Sequence, residues 1–122
     1  MSLNILAVDD SRTMRSLLDY TLSGAGFKVT LAEDGLDGLE KLNETRPDVI
    51  ITDLNMPNMD GFGFVEAVRG KEDLHGLPIL ILTTESAQEL KEKARDMGAT
   101  GWIVKPFDDE KLVATVRRVA IC

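Results

Sequence analysis

The stretch ITDLNMPNMDG, residues 51–61, begins as an apolar strand and breaks off at an aspartate. Val49, Ile50 and Ile51 run into Asp53, and Asn55, Pro57, Asn58 and Gly61 then compose a loop. Asp and Asn are ordinary turn formers, and Pro and Gly fix or free the backbone, so the stretch alone permits a plain turn. The rest of the chain decides between a turn and a functional site.

Short, apolar, β-branched runs recur along the chain: NILAVDD (4–10), FKVTLA (27–32), DVIITD (48–53), PILILTT (78–84) and GWIVKP (101–106) read as strands. Between them lie helical periods, carried by Met14, Leu17, Leu18 and Leu22, by Leu36, Leu39 and Leu42, and by Phe64, Val65 and Val68. Two more follow, with Leu90, Ala94 and Met97, then Leu112, Val113, Val116 and Val119. The alternation predicts five βα units in an open α/β sandwich. Strands 1, 3 and 4 are nearly continuously apolar, as central parallel strands covered on both faces are. Gly24, Gly70 and Gly98 stand where helix C-termini are expected, and Ser86 with Glu89 has capping-box spacing. Asp108, Asp109 and Glu110 suit the positive end of a last helix.

A chain of 122 residues fits one domain, 1–122, and leaves no room for a second. With 14 Lys and Arg against 21 Asp and Glu, the net charge of −7 repels a phosphate backbone, which argues against direct nucleic-acid binding and for protein partners. No apolar run reaches the roughly 18–20 residues of a membrane span, and MSLNILAVDDSR has no basic region before its apolar stretch. A cytoplasmic protein is expected. The lone Cys122 permits neither an internal disulfide nor a cysteine zinc cluster. The lone His75, in KEDLHGLP, reads as a solvated loop residue because no Ser or Cys nucleophile motif accompanies it.

In open α/β sheets the chemistry gathers beyond the carboxyl ends of the strands. Strand 1 ends in Asp9 and Asp10, strand 2 in Ala32, Glu33 and Asp34, strand 3 in Asp53, strand 4 in Thr83 and Thr84, and strand 5 in Lys105 and Pro106. Carboxylates converging on one edge raise one another's pKa unless a cation neutralises them. Oxygen ligands without Cys or His nearby favour a hard ion, and a small cluster with room for waters suits Mg²⁺. The D-x-[DN]-x-[DN]-G pattern of a calcium loop is absent. Lys105 can meet a phosphoryl oxygen as a point charge, and Thr83 can donate a hydroxyl to it. Metal, ammonium and hydroxyl together form a cradle for phosphoryl transfer onto a carboxylate. Each piece has a plainer use: Asp10 or Ser11 can cap the first helix, Thr83 can bond to local backbone, and Lys105 can be a loop charge.

VDDS (8–11), TDLNMPNMDG (52–61), LTTES (82–86) and VKPF (104–107), spaced along a chain covered from about Asn4 to Ile121, resemble the motif blocks of the receiver domains of two-component response regulators. The resemblance implies a flavodoxin-like (βα)5 three-layer sandwich with strand order 2-1-3-4-5. It implies that Asp53 accepts a phosphoryl group from a histidine kinase, making the chain a switch and not an enzyme acting on a separate substrate. Asp10, Asp53 and the backbone carbonyl of Asn55 would ligate Mg²⁺, with Asp9 acting through water. Lys105 and Thr83 would bind phosphoryl oxygens, and a cis peptide would join Lys105 to Pro106. Trp102 holds the position of the family's inward-turning aromatic, where Tyr or Phe is usual. Thr84 stands where the family has Ala or Gly, and Asn55 and Glu85 occupy exposed positions that tune loss of the phosphoryl group.

The chain stops at Cys122 just after the fifth helix, which favours a stand-alone, monomeric regulator. NMPNMDG with VKPF looks most like the chemotaxis type that binds a flagellar motor switch protein. Its output surface would comprise helix 4, strand 5 and helix 5, including Trp102 and Lys91 or Lys93. A receiver domain of a larger, non-chemotaxis regulator is the alternative. A Mg²⁺-dependent phosphohydrolase with an aspartyl intermediate is weaker, since Asn55 cannot be its acid and no insertion can form a cap. A nucleotide or flavin binder lacks the glycine-rich cradle after strand 1.

Overall fold

The computed structural model of the protein describes residues 3–120. Five strands, β1 (Asn4–Val8), β2 (Lys28–Ala32), β3 (Val49–Thr52), β4 (Ile79–Thr83) and β5 (Gly101–Val104), form one sheet in the order β2-β1-β3-β4-β5. Every neighbouring pair is parallel. The connecting helices are α1 (Arg12–Gly24), α2 (Gly35–Thr45), α3 (Gly61–Arg69), α4 (Gln88–Met97) and α5 (Asp109–Ala120), with a 3-10 turn at Glu72–Leu74. The expected strand order is the observed one, and the expected Lys105–Pro106 cis peptide is present.

The side-chain alternation of the strands divides the apolar residues between two layers. Leu6, Val8, Ile50, Ile79 and Ile81 pack with Leu42 of α2, Phe64, Val65 and Val68 of α3 and Ala94 of α4. On the opposite face Ile5, Ala7, Val49, Ile51, Leu80 and Leu82 pack with Leu18 and Leu22 of α1 and Leu112 and Val116 of α5. The three central strands are therefore apolar apart from Asn4, Thr52 and Thr83 at their ends, because both faces are covered, whereas β2 and β5 are only partly buried at the edges.

Several local expectations are corrected. The strands end before their polar residues, so Asp9, Asp53, Thr84 and Lys105 leave the sheet at its carboxyl edge. Leu17 and Leu36 are 42% and 50% exposed. In α2 the packing face is instead Gly35, Gly38 and Leu42, and a Cβ on Gly38 would meet the Phe64 ring at 2.9 Å. Gly24 is the last helical residue of α1, and the left-handed turn falls on Gly26 (φ 97°). Gly70 ends α3 with right-handed backbone, while Gly98 (φ 111°) is the left-handed cap expected for α4. The Ser86–Glu89 box does not form: α4 starts after Ala87 with no side-chain cap. Side-chain capping occurs instead at α2, where the N-cap Asp34 accepts from the Asp37 amide and Asp37 accepts from the amide of Glu33, the residue before the cap. Asp108 accepts from the Lys111 amide at the start of the last helix. His75 is exposed, as expected, and Cys122 lies outside the described residues.

Candidate functional site

Register brings the candidate residues to one edge. Val8 is aligned with Thr52, and Thr83 with Val104, so the residues that follow emerge side by side. Backbone bonds carry the ladder one step further: the amide of Asp53 donates to Val8 O (3.0 Å) and that of Lys105 to Thr83 O (2.8 Å). The carboxylates of Asp9, Asp10 and Asp53 converge so that one oxygen from each lies within 4.8 Å of the others. Asp9 and Asp53 are buried and Asp10 is exposed, so the cluster opens to solvent on the Asp10 side.

Lys105 crosses from β5 to hold this cluster. Its Nζ donates to Asp9 Oδ2 at 2.8 Å and to Asp53 Oδ2 at 3.0 Å. Burial is the largest influence on Lys105 and disfavours its charge, but its hydrogen bonds to Asp9 and Asp53 outweigh burial and lift its pKa above the ordinary 10.5. For Asp9, burial prevails over the Lys105 ammonium and the Ser11 amide, and its pKa is raised. One ammonium faces three carboxylates, which leaves negative charge that a further cation can neutralise. Three carboxylates with an open side match the hard-oxygen donor set of Mg²⁺.

The remaining candidates surround the cluster. Asp53 Oδ1 accepts from the Leu54 amide at 2.7 Å, fixing one oxygen while the other faces Lys105. Thr83 is fully buried at the end of β4, and its Oγ1 accepts from the Glu85 amide at 3.4 Å. Trp102, half-buried on β5, donates its indole N–H to Glu85 O at 3.1 Å. Both members of the expected switch pair thus grip the backbone of one residue, Glu85. Thr84 and Asn55 are exposed, but Glu85 is half-buried, not exposed as expected. Of the two candidate caps for α1, Ser11 does the work, its Oγ accepting from the Met14 amide, which leaves Asp10 to the cluster.

Four residues outside the expected set shape the site. Arg15 Nη1 donates to Asp9 O at 2.8 Å and steadies the turn from β1 into α1. Gly61 leaves room for the Asp53 carbonyl, into which a Cβ would project. Asn58, in left-handed backbone (φ 66°), donates to Asp34 Oδ2 at 2.7 Å. The composition of the 53–61 loop hinted at Gly61 and Asn58, but no motif marks the bond from Arg15 to the Asp9 carbonyl six positions back, and nothing local to Asp34 announces its contact across the fold.

Fold and site together define a doubly wound α/β protein with an acidic pocket at the carboxyl edge of its sheet. The chain belongs to the response regulator receiver domain family, whose model matches residues 5–117. A Vibrio cholerae chemotaxis protein, CheY4, shares 48% identity, with a TM-score of 0.93 over 98% of this chain and 99% of that one. A Rhizobium etli protein named probable chemotaxis protein CheY is 38% identical over 96% of this chain and 92% of its own length. Response regulator MprA of Mycobacterium tuberculosis is 39% identical over 96% of this chain but only 50% of its own, so the chain spans half the length of those relatives. Receiver domains accept phosphoryl groups from histidine kinases and contact downstream targets. Among the described residues no helix is long and apolar enough to cross a membrane.

Proposed function

We propose that this chain is a phosphorylation-controlled switch in which Asp53 takes a phosphoryl group from a histidine kinase and a surface on α4, β5 and α5 passes the signal to a protein target. The observation that carries this reading is the Asp9–Asp10–Asp53 cluster bridged by Lys105. An Asp53 oxygen attacks phosphorus in line, forming a P–O bond as the P–N bond to the kinase histidine breaks and the imidazole recovers its neutral form. Asp10, Asp53 and the Asn55 carbonyl, with Asp9 acting through water, would hold Mg²⁺, which would supply neutralisation of the phosphoryl charge. Lys105 exchanges its bond to Asp53 for a phosphoryl oxygen, and the Thr83 hydroxyl donates to another. Movement of Thr83 draws on the Glu85 backbone, and the indole of Trp102 follows through its bond to Glu85 O. Asn55, Thr84 and Glu85, each within two residues of Asp53 or Thr83, set how readily water removes the phosphoryl group.

The output surface is centred on Trp102, which lines a groove of about 230 Å³ together with Lys91, Arg95 and Thr100. Lys93 instead lies over the Phe62 ring, 4.3 Å from its centroid, so Lys91 is the lysine that serves this groove. A chemotaxis role is supported by CheY relatives that match over nearly their whole length, and a flagellar motor switch protein as target of a monomeric cytoplasmic switch is part of the same proposal. The MprA relatives, twice as long as the match, support the alternative of a receiver within a larger regulator.

Intact mass after incubation with acetyl phosphate tests the reading. A Mg²⁺-dependent phosphoryl adduct is expected on the parent, with a change in Trp102 emission, and no adduct on Asp53→Asn. An adduct that persists on the variant would remove Asp53 from its role.

A further inference from the structure

We infer that the Asp34–Asn58 hydrogen bond positions the loop that presents the Asn55 carbonyl, making Asp34 a positioning residue for Mg²⁺ although it lies beyond an edge strand, at the start of α2, and outside the cluster. The inference rests on the metal site proposed above and assigns that site a support on a different βα unit.

The loop after Asp53 is pinned at two places. At its base the Gly61 amide donates to Leu54 O at 2.8 Å. At its tip Asn58 Nδ2 donates to Asp34 Oδ2 at 2.7 Å, and the Gly35 amide donates to Met59 O at 3.1 Å. The approach is close enough that a Cβ on Gly35 would fall 2.6 Å from Met59 Cγ. Two consecutive residues, Asp34 and Gly35, therefore receive two consecutive loop residues, Asn58 and Met59. Asn55 and Pro57 are exposed between the two pins.

Capping alone does not require an aspartate here. Oδ1 of Asp34 caps α2 by accepting from the Asp37 amide at 2.8 Å, a task that serine performs about as well. The second oxygen is engaged by Asn58, and the residue is only 6% exposed. A buried carboxylate is thus retained where one oxygen serves the helix and the other serves the loop. A backbone carbonyl ligand cannot correct its aim by changing rotamer, because its direction follows from the loop that carries it. Mg²⁺ demands near-octahedral geometry at about 2.0–2.1 Å, so a small drift of that carbonyl lowers affinity.

Two variants separate the tether from the fold. Asp34→Ser keeps the cap and loses the reach to Asn58, while Asn58→Gly keeps the left-handed backbone without strain. Calorimetric titration of the metal-free proteins with MgCl₂ should show Kd raised about tenfold in each, the lower end of the effect of losing a supporting bond around a metal. The double variant should be no weaker than either single one, and hydrogen exchange at residues 55–59 without metal should quicken in all three. Additive losses in the double variant would overturn the inference, because the two residues would not act through a shared contact. A parent that binds Mg²⁺ while both variants match it within twofold overturns the tether alone. A parent that takes up no Mg²⁺ overturns the proposed metal site and the inference with it.

Discussion

At the scale of single residues the site is a balance between burial and pairing. Asp9 and Asp53 sit beside one ammonium, and burial still raises the pKa of Asp9. Asp34 is the opposite case: the Asp37 amide first, and the Asn58 amide second, hold its carboxyl below the usual 3.8. A depressed folded pKa contributes stability that is present above 3.8 and is lost as pH falls through the lower folded value. The stability gap between parent and Asp34→Ser should therefore be about 1 kcal/mol near neutrality, from one charge-assisted bond and one helix-dipole interaction, and should narrow below about pH 4. Urea unfolding of both proteins at about pH 6 and about pH 3 checks this, and a gap that widens on acidification would contradict it. Asp53 was legible because an apolar strand ending in an acid at a sheet edge is a local pattern. Asp34 was legible only as a strand end, since its partner is 24 positions away.

At the scale of elements the helix ends carry most of what local reading mistook. Cap chemistry depends on which residue leaves helical geometry first, and tertiary contacts choose among adjacent candidates. At the C-terminus of α4 the expected Gly98 cap does form, and a tertiary contact is added to it. Its Gly98 carbonyl accepts from Nε (3.0 Å) and Nη2 (2.8 Å) of Arg69 at the end of α3, while Nη1 reaches Leu74 O (2.7 Å) in the 3-10 turn. One guanidinium thus ties α3, the turn and α4 together without a carboxylate partner among these contacts. Arg69→Ala should cost about 2 kcal/mol, the range for hydrogen bonds to a charged group, by chemical denaturation. Arg69→Lys should recover less than half of that, because an ammonium cannot reproduce the planar fork. Full recovery with lysine would mean that charge alone matters there.

At the scale of the whole molecule the sheet separates two cores that share its strands. Val68 packs in the layer of α2, α3 and α4, and Val116 in that of α1 and α5. Each Val→Ala change should cost about 2 kcal/mol, and the double variant should lose their sum within about 0.5 kcal/mol, since no packing partner is shared across the sheet. A departure of more than about 1 kcal/mol in a double-mutant cycle would mean that the sheet transmits strain between layers. The sequence by itself determined the five βα units and which strands are central, because periodicity and continuous apolar runs are local consequences of what each element buries. Through its motif blocks it also singled out Asp9, Asp10, Asp53, Thr83 and Lys105. The tertiary structure alone decided which oxygens Lys105 bridges, that Ser11 and not Asp10 caps α1, that Lys91 and not Lys93 lines the Trp102 groove, and that Asp34 holds the loop after Asp53. Those outcomes depend on register and close approach between segments far apart in the chain, and a contact of that kind leaves no periodic trace in either segment alone.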